Sequence, residues 1–301
     1  MYHRIAEETF DPWGLSVHPS RFEEQMEWLA SNRKVLPLVT FAEKQADRTL
    51  AADSIAVTFD DGYACLAKIA APILHRLGFP ATVFIPAELM GRGREYWWDD
   101  IQRLVLEADV ERLEIDRSEI SLGPRTSDDE AWQPHAPPRS ERQKAFQELW
   151  SILHKMPDRK REASLDQIRG QTGMRAEPRA SHRSMTEAEA RSLTALGVEC
   201  GSHGLTHAYL PALGPDEKER EIADSMDACL GLTGEMPQSF AYPYGRYDEE
   251  SRQIVAKVGY NCACSAEHGF VRNSSPPFAL PRIAVGNWDL ETFSRKLLGA
   301  R

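Results

Sequence analysis

No run of about 18 uninterrupted apolar residues occurs anywhere in the chain, so no membrane-spanning helix is expected. The opening stretch MYHRIAEETF lacks both a basic segment and an apolar segment, so a secretory leader is not expected either, and a cytoplasmic location follows as the expectation. A basic excess is also missing. The formal net charge is -10, which argues against a broad nucleic-acid footprint. Cysteine is scarce and unpaired in pattern: Cys65, Cys200, Cys229, Cys262 and Cys264 are odd in number and form no C-x-x-C. Cys262 and Cys264 stand too close for the usual zinc-knuckle spacing, so buried, reduced thiols are the expectation. Internal repeats are absent as well.

What is present suits one large core. The 301 residues are 42% hydrophobic and 27% charged, and a single domain of residues 1–301 is the reading. Apolar runs alternate with amphipathic ones. HPSRFEEQMEWLASN reads as a helix, with Phe22, Met26 and Leu29 on one face. KVLPLVTFAEK reads as a short strand and a turn. DSIAVTFDDG and FPATVFIPAEL are near-continuous apolar strands flanking the helical YACLAKIAAPILHRLG, the signature of a parallel βαβ unit. Residues 92–183 loosen into helical and proline-rich segments and are read as an insertion in the domain, with the stretch from Asp116 to Glu141 as loop. Regular units return at MTEAEARSLTALG, where Thr186 and Glu189 spell a capping box. Strand and helix then alternate to the closing LETFSRKLLG. The fold class is α/β, a deformed (β/α) barrel with a mostly helical insertion; an open doubly wound sheet is the alternative.

In such folds the loops after the strand C-termini converge on one face. Three polar clusters fall there: Asp60-Asp61 after SIAVTF, SHGLTH after VEC, and YPYGRYD after SFA. His203 and His207 are four residues apart, and one helical turn would point both imidazoles the same way. Two imidazoles and a carboxylate make a facial metal set, for which Zn2+ is the default and Mn2+, Fe2+, Co2+ or Ni2+ also fit. Adjacent carboxylates cannot easily chelate together. Asp61 as ligand and Asp60 as base for a water on the ion is the natural division.

On these residues the chain resembles the NodB-type polysaccharide deacetylases, carbohydrate esterase family 4. TFDDG matches their first motif, SHGLTH their second (H-x-x-x-H), and FAYPYG looks like the third. YHRI, FEEQMEWL, YWWDDI and FALPRI resemble flanking features of the bacterial exopolysaccharide-biosynthesis branch. The resemblance covers nearly the whole chain, with the middle insertion matched least well. It implies a metal-dependent hydrolase that removes an acetyl group from an N-acylated amino sugar in a polysaccharide, oligosaccharide or activated-sugar precursor. It further implies Asp60 as base, Asp61, His203 and His207 as metal ligands, and the Tyr244 backbone N–H as oxyanion donor.

Two departures stand out. The third motif of the family opens with an arginine that braces the base, and Ala241 holds that position here. Arg282 in LPRI is the expected substitute. The family's late L-x-H, source of the general acid, is missing, which leaves His268 in SAEHGF as first candidate and His3 in YHRI as the other. Trp98, at the start of the insertion, is the most suggestive aromatic for a sugar ring; packing is the commoner use of Trp97, Tyr242, Tyr247 and Trp288. Asp289 suits either a partner for a catalytic histidine or a helix N-cap. The rival functions are hydrolysis of another linear amide or an O-acetyl ester, and carbohydrate binding without catalysis on the same scaffold.

Overall fold

In the computed structural model the apolar runs assemble into a six-stranded parallel sheet. Residues 1–115, 118–130 and 132–298 are described. They fall into two units. The first comprises residues 1–7, 15–92 and 184–301, and the second residues 8–14 and 93–183.

The first unit contains the sheet. Its strands run in the order Leu280–Arg282, Cys262–His268, Ser239–Ala241, Val198–Ser202, Ala81–Ile85, Thr58–Phe59. All five residues of Ala81–Ile85 are buried, as an apolar run covered on both faces must be. The sheet is curled, and the residues at its two edges come together through the start of the chain. Tyr2 forms a parallel bridge with Phe59, its N–H donating to Thr58 O and its carbonyl accepting from Asp60 N–H, both at 2.9 Å. Met1 bonds the other edge, its nitrogen to Ile283 O and its carbonyl from Val285 N–H, again at 2.9 Å. The result is a deformed (β/α) barrel in which first and last strands of the sheet order become neighbours.

Helices pack around this sheet by period. Pro19–Asn32 buries Phe22, Gln25, Met26 and Leu29, and the Tyr2 ring meets Phe22 and Phe59 at 5.3 and 5.5 Å. Pro215–Thr233 and Glu249–Val258 bury Ile222 and Val255 with Phe240, Tyr242 and Tyr260. The capping box at Thr186 and Glu189 is formed. One expectation is corrected. KVLPLVTFAEK contains only the two-residue strand Lys34–Val35, and its remainder opens the helix Leu38–Ala46. Leu38, Phe41, Ala42 and Gln45 form its buried stripe, and Pro37 stands just before its start, where a missing N–H costs nothing. Within YACLAKIAAPILHRLG the helix begins as a wide turn over Leu66–Ala70 and becomes regular at Ala71–Arg76, around Pro72.

The second unit is mostly helical, with Trp97–Ile101 continuing into a wide turn at Gln102–Glu107, then Glu141–Leu153 and Asp158–Thr172. Within the stretch read as loop, Ser118–Ser121 is a strand that pairs antiparallel with Arg112–Ile115, just before that stretch. Its alternation is carried by a single facing apolar pair, Leu113 and Ile120, too little to register among charged neighbours. Arg142 is fully buried and donates to the carbonyls of Val105, Ala108, Val110 and Gly123, which ties the connections of this unit together.

Candidate active site

Asp60 and Asp61 leave the end of the strand Thr58–Phe59 in different directions because the backbone turns between them. Asp61 is left-handed (φ 72°), as is Gly62 (φ 64°). A Cβ on Gly62 would lie 2.9 Å from Ile85 Cγ2, so glycine is required there twice over, by φ and by space. Asp60 is thereby turned toward Arg282 and Asp61 toward the histidines.

Asp61 Oδ1 lies 3.5 Å from His203 Nε2 and 3.4 Å from His207 Nε2, and all three residues are buried. One ligand atom from each lies within 4.8 Å of the others. The donor set suits a divalent ion: a carboxylate and two imidazoles. His203 Nδ1 is 2.7 Å from Ala241 O, and a carbonyl can only accept, so Nδ1 carries the proton and Nε2 is available as a ligand. Burial raises the Asp61 carboxyl, but hydrogen bonds from both histidines outweigh it and hold the group well below its usual range. Burial lowers His203, and the bond to Asp61 with the charges of both carboxylates turns the net shift upward.

The histidines do not converge through a helical turn. Residues 203–207 form an irregular loop, and His207 itself is left-handed (φ 55°). Hydrogen bonds hold both sides of the loop on the approach. His203 N–H donates to Ile85 O, and the carbonyls of Gly204 and Leu205 accept from Ala87 and Glu88 N–H. The N–H groups of Leu205 and Thr206 donate to Glu221 Oε2 at 3.1 and 3.0 Å, and the Thr206 hydroxyl donates to Oε1 at 2.7 Å. Glu221 escaped sequence reasoning because it lies in DEKEREIADS, a helix whose charges give no hint of which one turns inward.

Asp60 meets Arg282 through two parallel bonds of 2.7 Å, and both residues are buried. The same guanidinium donates to Ser265 O and Thr58 Oγ1. Burial raises the Asp60 carboxyl, but the Arg282 charge and bonds, with His203 and His3, bring it below its ordinary value. Two residues that are remote in both sequence and sheet order are in contact because the sheet curls.

The remaining candidates separate. His3 is half-buried; burial lowers its pKa, while Asp61 and Asp60 pull it back and Arg282 and His203 oppose them, leaving it below the ordinary value. It follows Tyr2, whose carbonyl accepts from Asp60 N–H. His268 is exposed at the end of its strand, opposite Arg282 in register. Tyr244 is left-handed (φ 58°), and its ring lies 4.5 Å from that of His207. The following Gly245 is locked in place: a Cβ there would come within 2.1 Å of Ala266 Cβ. Trp98 is buried in the second unit, with Tyr96 stacked at 4.6 Å and Trp97 edge-on at 5.9 Å. Tyr242 is buried, donates to Phe278 O and stacks on Tyr247. Asp289 accepts from Thr292 N–H and caps the helix Leu290–Leu298. All five cysteines are buried, and none is in a disulfide.

A curled parallel barrel with an Asp–His–His cluster at its strand ends is the framework of metal-dependent carbohydrate deacetylases. The chain belongs to the polysaccharide deacetylase family, whose model matches residues 47–112 and 171–263. His3, His268 and Arg282 lie outside those segments. Among curated proteins it is similar to YxkH of Bacillus subtilis (strain 168), provisionally named a polysaccharide deacetylase, with 22% identity over 95% of this chain and 70% of the relative. Its fold is similar to that of the Streptococcus pyogenes deacetylase PplD, solved in complex with acetate, with TM-score 0.61, 17% identity and coverage of 95% of this chain and 91% of the other. It is similar also to IcaB from Ammonifex degensii, with TM-score 0.60, 14% identity and coverage of 99% and 93%. Among the described residues no helix is long and apolar enough to cross a membrane.

Proposed function

We propose that this protein is a metal-dependent N-deacetylase of amino sugars, acting on a polysaccharide, oligosaccharide or activated precursor in exopolysaccharide formation. The observation that carries the reading is the convergence of Asp61, His203 and His207 beside a second carboxylate, Asp60, that a bidentate arginine holds ionised. Asp61, His203 and His207 would hold a divalent ion, by donor set most simply Zn2+; when bound, such an ion acidifies a water and polarises a carbonyl.

The chain's own residues supply the rest. Asp60 is the base. It stays ionised because Arg282 lowers its pKa, and it takes the proton of the attacking water. The Tyr244 N–H, turned by that residue's left-handed backbone, donates to the oxyanion as the carbonyl becomes tetrahedral. An amine leaves only when protonated. His3 is the donor in this reading, since it is half-buried and follows Tyr2, whose carbonyl accepts from Asp60 N–H, while His268 is exposed. Burial lowers the His3 pKa and so favours the neutral imidazole, and the proton it would deliver to the amine is one gained during turnover. The C–N bond then breaks, and carboxylate and free amine depart.

The test is acetate release from N-acetylhexosamine oligomers, measured beside O-acetyl esters and simple linear amides, on protein of determined metal content. Release from the N-acetyl sugars alone supports the proposal. Release only from esters or simple amides gives the rival hydrolase, and no release by the metal-loaded protein leaves a carbohydrate-binding role. Asp60→Asn should keep the ion and lose about 10²–10⁴ in rate.

A further inference from the structure

The second histidine reaches the site at a cost. His207 is a non-glycine residue at φ 55°, one of four such residues among those described, and three of the four (Asp61, His207, Tyr244) belong to this site. Such conformations cost about 1–3 kcal/mol each and persist only where the surroundings enforce them. For Asp61 the enforcement comes from the tight turn into Gly62. For His207 it comes from the preceding residue: Thr206 is held by backbone N–H and by hydroxyl, on the two oxygens of one buried carboxylate.

We infer that Glu221 is a positioning residue for the metal site, clamping Leu205 and Thr206 so that His207 is held in the left-handed conformation that turns its imidazole toward Asp61. The inference rests on the proposed metal site and goes beyond it. Glu221 touches neither His203 nor His207 in any bond described and acts through the loop alone. Its partners are two N–H groups and a hydroxyl, all donors, and so it serves as an acceptor with both oxygens. Gly204 belongs to the same device. It is left-handed (φ 76°), and a Cβ there would stand 3.3 Å from Glu221 Oε2, crowding the clamp. The carbonyls of Gly204 and Leu205 are held by Ala87 and Glu88, so without Glu221 the N–H groups of Leu205 and Thr206 lose the acceptor that holds the side nearest His207.

The acceptor, not the charge, is what the clamp needs. Glu221→Gln keeps an oxygen for the two N–H groups and a carboxamide N–H₂ that can donate to the Thr206 hydroxyl. Glu221→Ala removes all three bonds and strands two buried N–H groups. Zn2+ dissociation constants for the apo protein, read by competition with a chromophoric chelator, and the visible spectrum of Co2+-loaded protein separate the variants. Glu221→Ala should bind Zn2+ about 10–100-fold more weakly, with an altered Co2+ spectrum, while Glu221→Gln stays within about threefold of the parent. Parent-like affinity and spectrum in Glu221→Ala, or equal loss in both variants, would overturn the inference. If Glu221→Ala does not fold by circular dichroism, Thr206→Val removes the hydroxyl bond alone; about threefold weaker binding supports the clamp and unchanged binding refutes it. A parent protein that binds no divalent ion would instead refute the metal site itself, a result distinct from either.

Discussion

Arg282 and Asp60 are both buried, so neither can lose its partner cheaply. Arg282→Met leaves an isolated carboxylate in the core and should cost about 3–5 kcal/mol in chemical denaturation. Arg282→Lys keeps the charge but loses the fork and its bonds to Ser265 and Thr58, so turnover should fall with a smaller loss of stability. The two histidine candidates for proton donation are separable in the same way. His3→Ala should lower kcat by about 10²–10⁴ with metal content unchanged, and His268→Ala should leave kcat near that of the parent. A parent-like rate in His3→Ala would remove His3 from the mechanism. His203 sets a pH dependence. Its folded pKa is raised, so below that value the imidazole is protonated and an ion must displace the proton. Metal affinity should therefore fall as pH drops through that raised value, by up to about tenfold per pH unit for one proton, which calorimetric titration at two pH values measures. Of these residues, the acidic pair and the H-x-x-x-H spacing were legible in the sequence because they are local. The partial burial of His3 and the exposure of His268 were not, since they depend on which strand end is covered.

At the scale of elements, three loops after three strands each carry one left-handed non-glycine residue and one left-handed glycine. Gly245→Ala puts a methyl group into Ala266 as well as forcing φ 64° on alanine. It should destabilise the YPYG turn and displace Tyr244, which would appear as a lower melting temperature together with reduced activity on any N-acetyl substrate. The helix Leu38–Ala46 teaches a related lesson. Its i, i+3, i+4, i+7 stripe was present in the sequence, but Pro37 beside β-prone residues suggested a strand and turn. Packing of that stripe settles the competition.

At the scale of the whole first unit, the decisive contact is the junction made by Met1 and Tyr2 between the sheet's two edges. Tyr2 is buried among Phe22 and Phe59 and donates to Gln25. Tyr2→Ala should cost about 3–5 kcal/mol by cavity formation, and it should loosen the register that brings Arg282 to Asp60. The measurement is denaturant unfolding beside the activity of the folded fraction; intact activity per folded molecule would show that the Arg282–Asp60 pair tolerates a looser junction.

By itself the sequence determined the local facts: the alternation of apolar strands with amphipathic helices, the capping box at Thr186, and the acidic and histidine motifs at strand ends. These depend on neighbours within a few residues, where periodicity and backbone preference act directly. Only the tertiary structure shows that Arg282, the substitute expected for Ala241, meets Asp60 through two bonds, and that Glu221 accepts from Leu205 and Thr206 in the histidine loop. Each is a meeting of groups far apart in the chain, set by the curl of the sheet and by which buried donors needed an acceptor.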